Sequence, residues 1–231
     1  MSLDKVITKK ILTFHGVRVP ESTVISTVEE VDRNTMSFPL IIKPAREDAS
    51  IGICAESVVY DVETLQAAAV DMIKRYSEVI IETYIEGREF NVSILGNNPP
   101  TVLALSEIDF SQMPSDMPNI VSYRAKWIKE SMEYKGSQPL CPAQIDDGKK
   151  ILLEKYALIA YKSMGLRDYG RIDFRMNSSG ELFVIDVNAN PCISPDAGFA
   201  RAAEACGMKY EDVISSIVAC AIHRKKEAHC I

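Results

Sequence analysis

Gly170–Pro191, GRIDFRMNSSGELFVIDVNANP, decides how this chain is read. Ile172 and Phe174 before the Asn-Ser-Ser-Gly turn, and Phe183, Ile185 and Val187 after it, alternate like the buried face of a β-hairpin. The positions between them carry Arg171, Asp173, Arg175, Asp186 and Asn188. A turn of two or four residues predicts Ile172 opposite Ile185 and Phe174 opposite Phe183. That register sets Arg171 across from Asp186, with Asp173 diagonal to it and Asn188 further along the same face. Two carboxylates, an amide oxygen and a guanidinium converge. Hard oxygen donors suit Mg²⁺, which binds one or two carboxylates together with substrate phosphates, and a neighbouring arginine suits the phosphate. The competing reading is an outer face that meets only water, with Arg171 and Asp186 as a weak surface pair.

Outside the hairpin, the chain is ordinary in composition. Its 231 residues can bury a sizeable core, and 47% hydrophobic with 25% charged residues is globular usage. No apolar run approaches the ~18 residues of a membrane span, and MSLDKVITKK has no signal-peptide core, so a cytoplasmic protein without membrane partners is expected. The six cysteines have no C-x-x-C spacing and the three histidines no ligand pattern, which argues against a zinc site or a disulfide framework. A net charge of −6 argues against a nucleic-acid surface but leaves room for a local basic pocket.

The element pattern is α+β. Asp4 opens an amphipathic helix that stops at Gly16; FPLIIKP (Phe38–Pro44) is a strand; Asp61 caps a helix through Tyr76; EVIIETY is a strand. Two more strands, EFNVSILG and TVLALSEI, precede a Pro- and Met-rich loop. A long helix spans residues 146–164, and two helices, 197–206 and 210–228, follow the hairpin. A boundary near Glu86-Gly87 divides the chain into residues 1–86 and 87–231.

Three further segments carry candidate binding groups. Lys43 ends an apolar strand, where its stem is buried and its ammonium faces whatever lies at the strand's end; a lysine reaching solvent is the alternative. Ser50 and Gly52 lie in a loop of small residues able to bring backbone N–H groups to a phosphate, although GxxxxGK[ST] is absent. Glu82-Thr83-Tyr84-Ile85 stands at the junction, where an extended backbone can meet an adenine edge and Glu82 can accept from the exocyclic amine. A solvated strand end is the alternative there.

Taken in order, Asp4-Lys5, Ile42-Lys43-Pro44, the Ser/Gly loop, Glu82 to Ile85, Glu89, Ala125-Lys126-Trp127, Gly170-Arg171-Ile172-Asp173 and Asp186 to Pro191 resemble the ATP-grasp superfamily. The likeness is strongest to the ATP-binding and C-terminal regions of D-alanine–D-alanine ligases and related carboxylate–amine ligases. It covers nearly the whole chain. It implies two α+β subdomains with antiparallel sheets clasping ATP, residues 1–86 forming the smaller, lid-bearing one and residues 87–231 the metal and phosphate end. By this resemblance Lys5 and Lys43 bind the nucleotide, Ser50 belongs to a loop closing over the phosphates, and Glu82, Thr83, Tyr84 and Ile85 form the adenine site with Glu89 on the ribose. Lys126 and Arg171 stabilise the transferred phosphoryl group. Asp173, Asp186 and Asn188 hold Mg²⁺, as many as two ions, with Mn²⁺ as a substitute. The reaction implied is ATP-dependent joining of a small carboxylate and an amine, amino acid or peptide-like, through an acylphosphate. No protein nucleophile is needed.

The sequence departs from that family pattern at four places. Asp186 replaces the usual Glu, and Ala49 and Trp127 replace a Ser and a Tyr that order the substrate side. Ala197-Gly198 stand where the ligases place a Ser-Leu pair on the second substrate's carboxylate, which points to a substrate other than D-alanine. The separate N-terminal α/β domain of the family is not in the sequence, so a fragment or shortened form is expected. The resemblance is compatible with a homodimer. A nucleotide-binding regulatory module without turnover and a small-molecule phosphotransferase are the alternative functions.

Overall fold

The computed structural model describes residues 2–228; Met1 and the stretch with Cys230 lie outside the described residues. Two antiparallel sheets face one another. The smaller has four strands, β1 (Ser22–Ile25), β2 (Leu40–Pro44), β3 (Val58–Val59) and β4 (Val79–Thr83), in the order β1-β4-β2-β3. Their two-residue period sorts the side chains: Leu40, Ile42, Val79 and Ile81 join a core with Leu65, Ala69 and Met72 of α2 (Val62–Tyr76). Ile41, Lys43 and Glu82 consequently point to the opposite face. Asp61 caps α2 as expected, its side chain accepting from Thr64 N.

The larger sheet holds β5 (Arg88–Leu95), β6 (Thr101–Val102), β7 (Ser106–Asp109), β8 (Gln138–Leu140), β9 (Tyr169–Met176) and β10 (Leu182–Asn188), ordered β10-β9-β5-β7-β8 with β6 on β5. Phe90, Val92, Ile94, Ile172 and Phe174 are buried on one face beneath α5 (Asp147–Ser163). Glu89, Asn91 and Ser93 therefore share the other face with their cross-strand partners Arg175, Asp173 and Arg171. The expected strand TVLALSEI is broken: Leu103 and Leu105 are buried but lie between β6 and β7, where the chain shifts along β5.

The hairpin register differs from the sequence expectation. Phe174 faces Val184, not Phe183, and a bulge at Ile185 then sets Asp186 opposite Asp173, Val187 opposite Ile172 and Asn188 opposite Arg171. Leu182, Val184 and Val187 are the buried residues, whereas Phe183 and Ile185 are only half-buried. The extra residue in the bulge reverses the strand's parity. Without it Asp186 would follow Leu182 and Val184 into the apolar core. With it, Asp186 joins the polar face.

α1 (Lys5–Phe14) bridges the two sheets. Asp4 caps it through Val6 N and Ile7 N, and Lys5 N donates to Ala45 O just beyond β2 at 3.1 Å, while Leu12 is fully buried in the larger core. Past Gly16, Val184 N donates to Arg18 O, which fastens the chain along β10. α6 (Gly198–Glu204) and α7 (Tyr210–Ala228) cover the far end around Phe199, Leu95 and Val213. Between the core's elements, α3 (Tyr123–Trp127) and α4 (Met132–Gly136) are short helices that the sequence reading did not anticipate. No helix among the described residues is long and apolar enough to cross a membrane. Cys54, Cys141, Cys192, Cys206 and Cys220 are free thiols.

Gly87, between the sheets, has φ +136°, and a Cβ there would lie 2.1 Å from Met176 O. Gly16 has φ +72° but open space around it. Gly87→Ala is therefore expected to cost on the order of 3 kcal/mol, strain and backbone collision together, whereas Gly16→Ala costs about 1 kcal/mol. Urea unfolding midpoints measure both, and equal midpoints would contradict this account of the junction.

Candidate active site

The polar faces of the two sheets meet across a cleft of about 640 Å³, a size typical of small-molecule sites. Of the residues expected at a nucleotide and metal site, Lys5, Lys43, Ser50, Glu82, Thr83, Tyr84, Ile85, Glu89, Lys126, Arg171, Asp173 and Asp186 line it. Asn188 does not; it stands behind the wall, its Nδ2 donating to Asp173 Oδ2 at 3.0 Å.

On the smaller sheet, Glu82 is 1% exposed and its carboxylate lies between two ammonium groups. Lys43 Nζ is 2.7 Å from Oε2, and Lys9 Nζ is 3.1 Å from Oε1, though not in hydrogen-bonding alignment. Burial opposes the charge on Glu82, but the two lysines overcome it and hold the carboxyl below its ordinary range. Lys9 itself is pushed down by burial despite Glu82, and donates to Pro20 O at 2.8 Å. Lys9 was missed in the sequence. Its signal was available in the spacing, since Lys5 and Lys9 share one face of α1 at i,i+4. Lys5 reaches across to Glu47 O, and burial lowers its pKa while Asp186 opposes that.

At the junction, Thr83 N donates to Glu21 O and Tyr84 N to Pro39 O. The Thr83 N–H expected at an adenine edge is thus already engaged, whereas the Ile85 N–H makes no hydrogen bond among the described residues. Tyr84 Oη donates to Asn119 O, and its ring packs under Arg175. Arg175, present in the sequence pattern without an assigned task, is a buried clamp: it pairs with Glu89 at 3.0 Å and donates to the carbonyls of Gly87 and Asn119. Burial pushes the Glu89 carboxyl up even against this arginine.

The hairpin contributes the densest charge. Arg171 grips Asp173 with a fork, Nε to Oδ1 at 2.7 Å and Nη2 to Oδ2 at 2.8 Å, while Asn91 Nδ2 donates to Oδ1 at 2.9 Å. Burial opposes the guanidinium's charge, yet Asp173, with Asp186 and Glu89, raises its pKa. The Asp186 side chain makes no hydrogen bond or ion pair among the described residues, and burial, reinforced by the facing Asp173, pushes its carboxyl up against the pull of Lys5. The Lys126 ammonium is likewise without a partner among the described residues and is pushed down by burial and then by Arg171. An unpaired carboxylate and an unpaired ammonium in one cleft wall call for a ligand with both a cation and an anion.

The donor set fits a hard divalent cation: Asp186 is free, it faces Asp173, and Asn188 keeps its Oδ1 available because only Nδ2 is engaged. Among the described residues no group of three or more His, Cys, Asp and Glu side chains is arranged to hold a metal. Phosphate oxygens would have to complete the shell.

A loop closes one side of the cleft. Ala49 and Ser50 take positive φ, 52° and 61°, and their N–H groups make no hydrogen bond among the described residues, as an anion nest requires. The loop is docked across the cleft: Ser50 Oγ donates to Val121 O at 2.8 Å, Tyr123 N to Ile53 O at 2.9 Å, and Trp127 Nε1 to Ala49 O at 3.1 Å. Ala49 and Trp127, the two places lacking hydroxyls, are joined here through an indole N–H and a backbone carbonyl.

Residues 10–219 match the family described as the D-ala D-ala ligase C-terminus. An uncharacterised protein of Sinorhizobium fredii (strain NBRC 101917 / NGR234) is 30% identical over 223 residues, 96% of this chain and 63% of its own length. The D-alanine–D-alanine ligase of Aquifex aeolicus (strain VF5) is 29% identical over 220 residues, 94% of this chain and 69% of its own. The crystal structure of D-alanine–D-alanine ligase from Bacillus anthracis complexed with ATP superposes with a TM-score of 0.76 at 24% identity, covering 98% of this chain and 68% of that one. This chain therefore spans less than two thirds of the Sinorhizobium relative and slightly more than two thirds of the other two. The two facing antiparallel sheets are an ATP-grasp fold, and the chain belongs to the D-alanine–D-alanine ligase C-terminal family.

Proposed function

We propose that this chain binds Mg·ATP in the cleft between its sheets and carries the ATP-grasp part of a ligase that joins a small carboxylate to an amine. One observation carries the reading. The hairpin's polar face, with Asp186 and Lys126 unpaired, is turned into a cleft against Lys43 and Glu82 rather than toward water.

In this reading Lys43 and Lys126 meet the phosphates, the amides of Ala49 and Ser50 cover them, and Arg171 stabilises the charge that develops in transfer. Ile85 N–H meets the adenine edge. Glu82 accepts from the amine while Lys9 and Lys43 hold it charged, and Glu89, oriented by Arg175, faces the ribose. Asp173, Asp186 and Asn188 hold the Mg²⁺, with Mn²⁺ as a substitute; when bound, the ion neutralises phosphate charge. A substrate carboxylate oxygen attacks the γ-phosphorus, the bond to the β-phosphate oxygen breaks, and ADP leaves. The amine then attacks the acyl carbon, and phosphate departs as the C–N bond forms. Two facts support the family's chemistry with a changed acceptor: Lys43, Ser50, Lys126, Arg171, Asp173 and Asp186 all line the cleft, with Asn188 directly behind Asp173, and Ala197-Gly198 offer neither a hydroxyl nor an isobutyl group. Residues 1–86 and 87–231 act as the two jaws, with Gly87 at the joint.

Titration calorimetry tests the nucleotide step: Mg·ATP binds, binding collapses when EDTA removes the metal, and Asp186→Asn weakens it about 10–100-fold, the usual penalty for disturbing a metal site. No binding at millimolar Mg·ATP, or equal affinity in the variant, would count against the assignment. Trp127, the single tryptophan, is 53% exposed and hydrogen-bonded to the loop. Its emission should therefore change saturably with Mg·ATP, with the same midpoint as the heat signal. Emission that stays constant while heat shows binding would mean the loop does not respond to nucleotide.

A further inference from the structure

Downstream of β10 the cleft wall continues through Cys192, Ser194, Asp196, Gly198 and Arg201, which the nucleotide reading leaves unused, and the Asp196 carboxylate forms no ion pair with Arg201 among the described residues. This wall lines the same cleft as Lys126 and Arg171. Arg201, on α6, lines the cleft. Its Nη1 donates to the backbone carbonyl of Asp196, its Nε is buried with no hydrogen-bond partner, and it forms no ion pair among the described residues. The other two cleft arginines are neutralised, Arg171 by Asp173 and Arg175 by Glu89. Arg201 is the guanidinium left without a counter-anion.

Gly198 keeps the space beside it open. A Cβ at that position would sit 3.7 Å from Arg201 Nη2, so any longer side chain would press on the guanidinium. A planar fork with unused N–H donors in a half-buried wall matches a carboxylate or phosphate in two-point contact. The phosphate end already has Lys43, Lys126 and Arg171, whereas among the described cleft residues that follow β10 Arg201 is the cation.

We infer that Arg201 anchors the carboxylate of the amine substrate, so that the acceptor is an amino acid or peptide-like amine recognised by a charged fork. The inference rests on the ligase reading, in which the first substrate's carboxylate is engaged at the γ-phosphorus and the carboxylate of the second remains to be held. The charged fork replaces recognition by a hydroxyl and makes the site depend on a full negative charge, which an amide or ester lacks.

The test follows the arginine Nε–Hε cross-peak of Arg201 in ¹⁵N-labelled full-length chain saturated with Mg²⁺ and a non-hydrolysable ATP analogue. The peak is assigned by its loss in Arg201→Gln, or in Arg201→Lys should the first variant fail to fold by circular dichroism. Sodium acetate and D-alanine are the carboxylate probes, acetamide the neutral control, and inorganic phosphate the competing anion. The expected result is a saturable shift with a carboxylate, none with acetamide, and at least tenfold weaker response to phosphate. A response to phosphate alone, an equal response to acetamide, or no response overturns the inference. Calorimetry on the same sample separates the two readings. Nucleotide binding with a silent Arg201 defeats the acceptor site alone, whereas absence of nucleotide binding defeats the ligase reading and, with it, the acceptor assignment.

Discussion

The pleat of β9 is the constraint on which the rest of this structure depends. Ile172 and Phe174 must face the core beneath α5, so Arg171, Asp173 and Arg175 must face the other way, and β5 and β10 on either side repeat the division. On a lone sheet such a face would simply meet water. Here a second sheet lies across it, and charges that alternation separated from the core are enclosed a second time, in a cleft.

That enclosure makes the site expensive. Glu82 between Lys9 and Lys43, Glu89 with Arg175, and Asp173 with Arg171 are ion pairs removed largely from water, and such pairs seldom stabilise a fold more than apolar residues of the same volume would. Their use is orientation. Each holds a carboxylate at a set position and leaves specific groups unsatisfied, notably Asp186, Lys126 and Arg201. Those residual charges define what the cleft can hold far more narrowly than its volume does.

The loop between β2 and β3 belongs to the same economy. It places two non-glycine residues at positive φ, a conformation that costs free energy unless surrounding contacts hold it. The contacts come from the opposite side of the cleft, through Val121, Tyr123 and Trp127. The indole N–H of Trp127 bonds to the Ala49 carbonyl, so the side chain at one position holds the backbone at the other.

Much of this was legible in the sequence because local rules carried it. Capping by Asp4 and Asp61, the stop at Gly16, the long helix after Asp146 and the order of charged motifs all follow from residue type and spacing, and they sufficed to identify the family. The hairpin register was not legible. Leu182, Phe183, Val184 and Ile185 are all apolar, so alternation could not tell which two face inward, and only packing against Ile172 and Phe174 selected Leu182 and Val184 and forced the bulge. The roles of Lys9, Arg175 and Arg201 were equally hidden, because a charged side chain reads as solvated until a second element covers it. The sequence by itself determined which residues carry charge, their period along each strand and the helices that bury the opposite faces. The tertiary structure alone decided which charges meet, because pairing across sheets depends on the relative placement of segments far apart in the chain, about which local periodicity is silent.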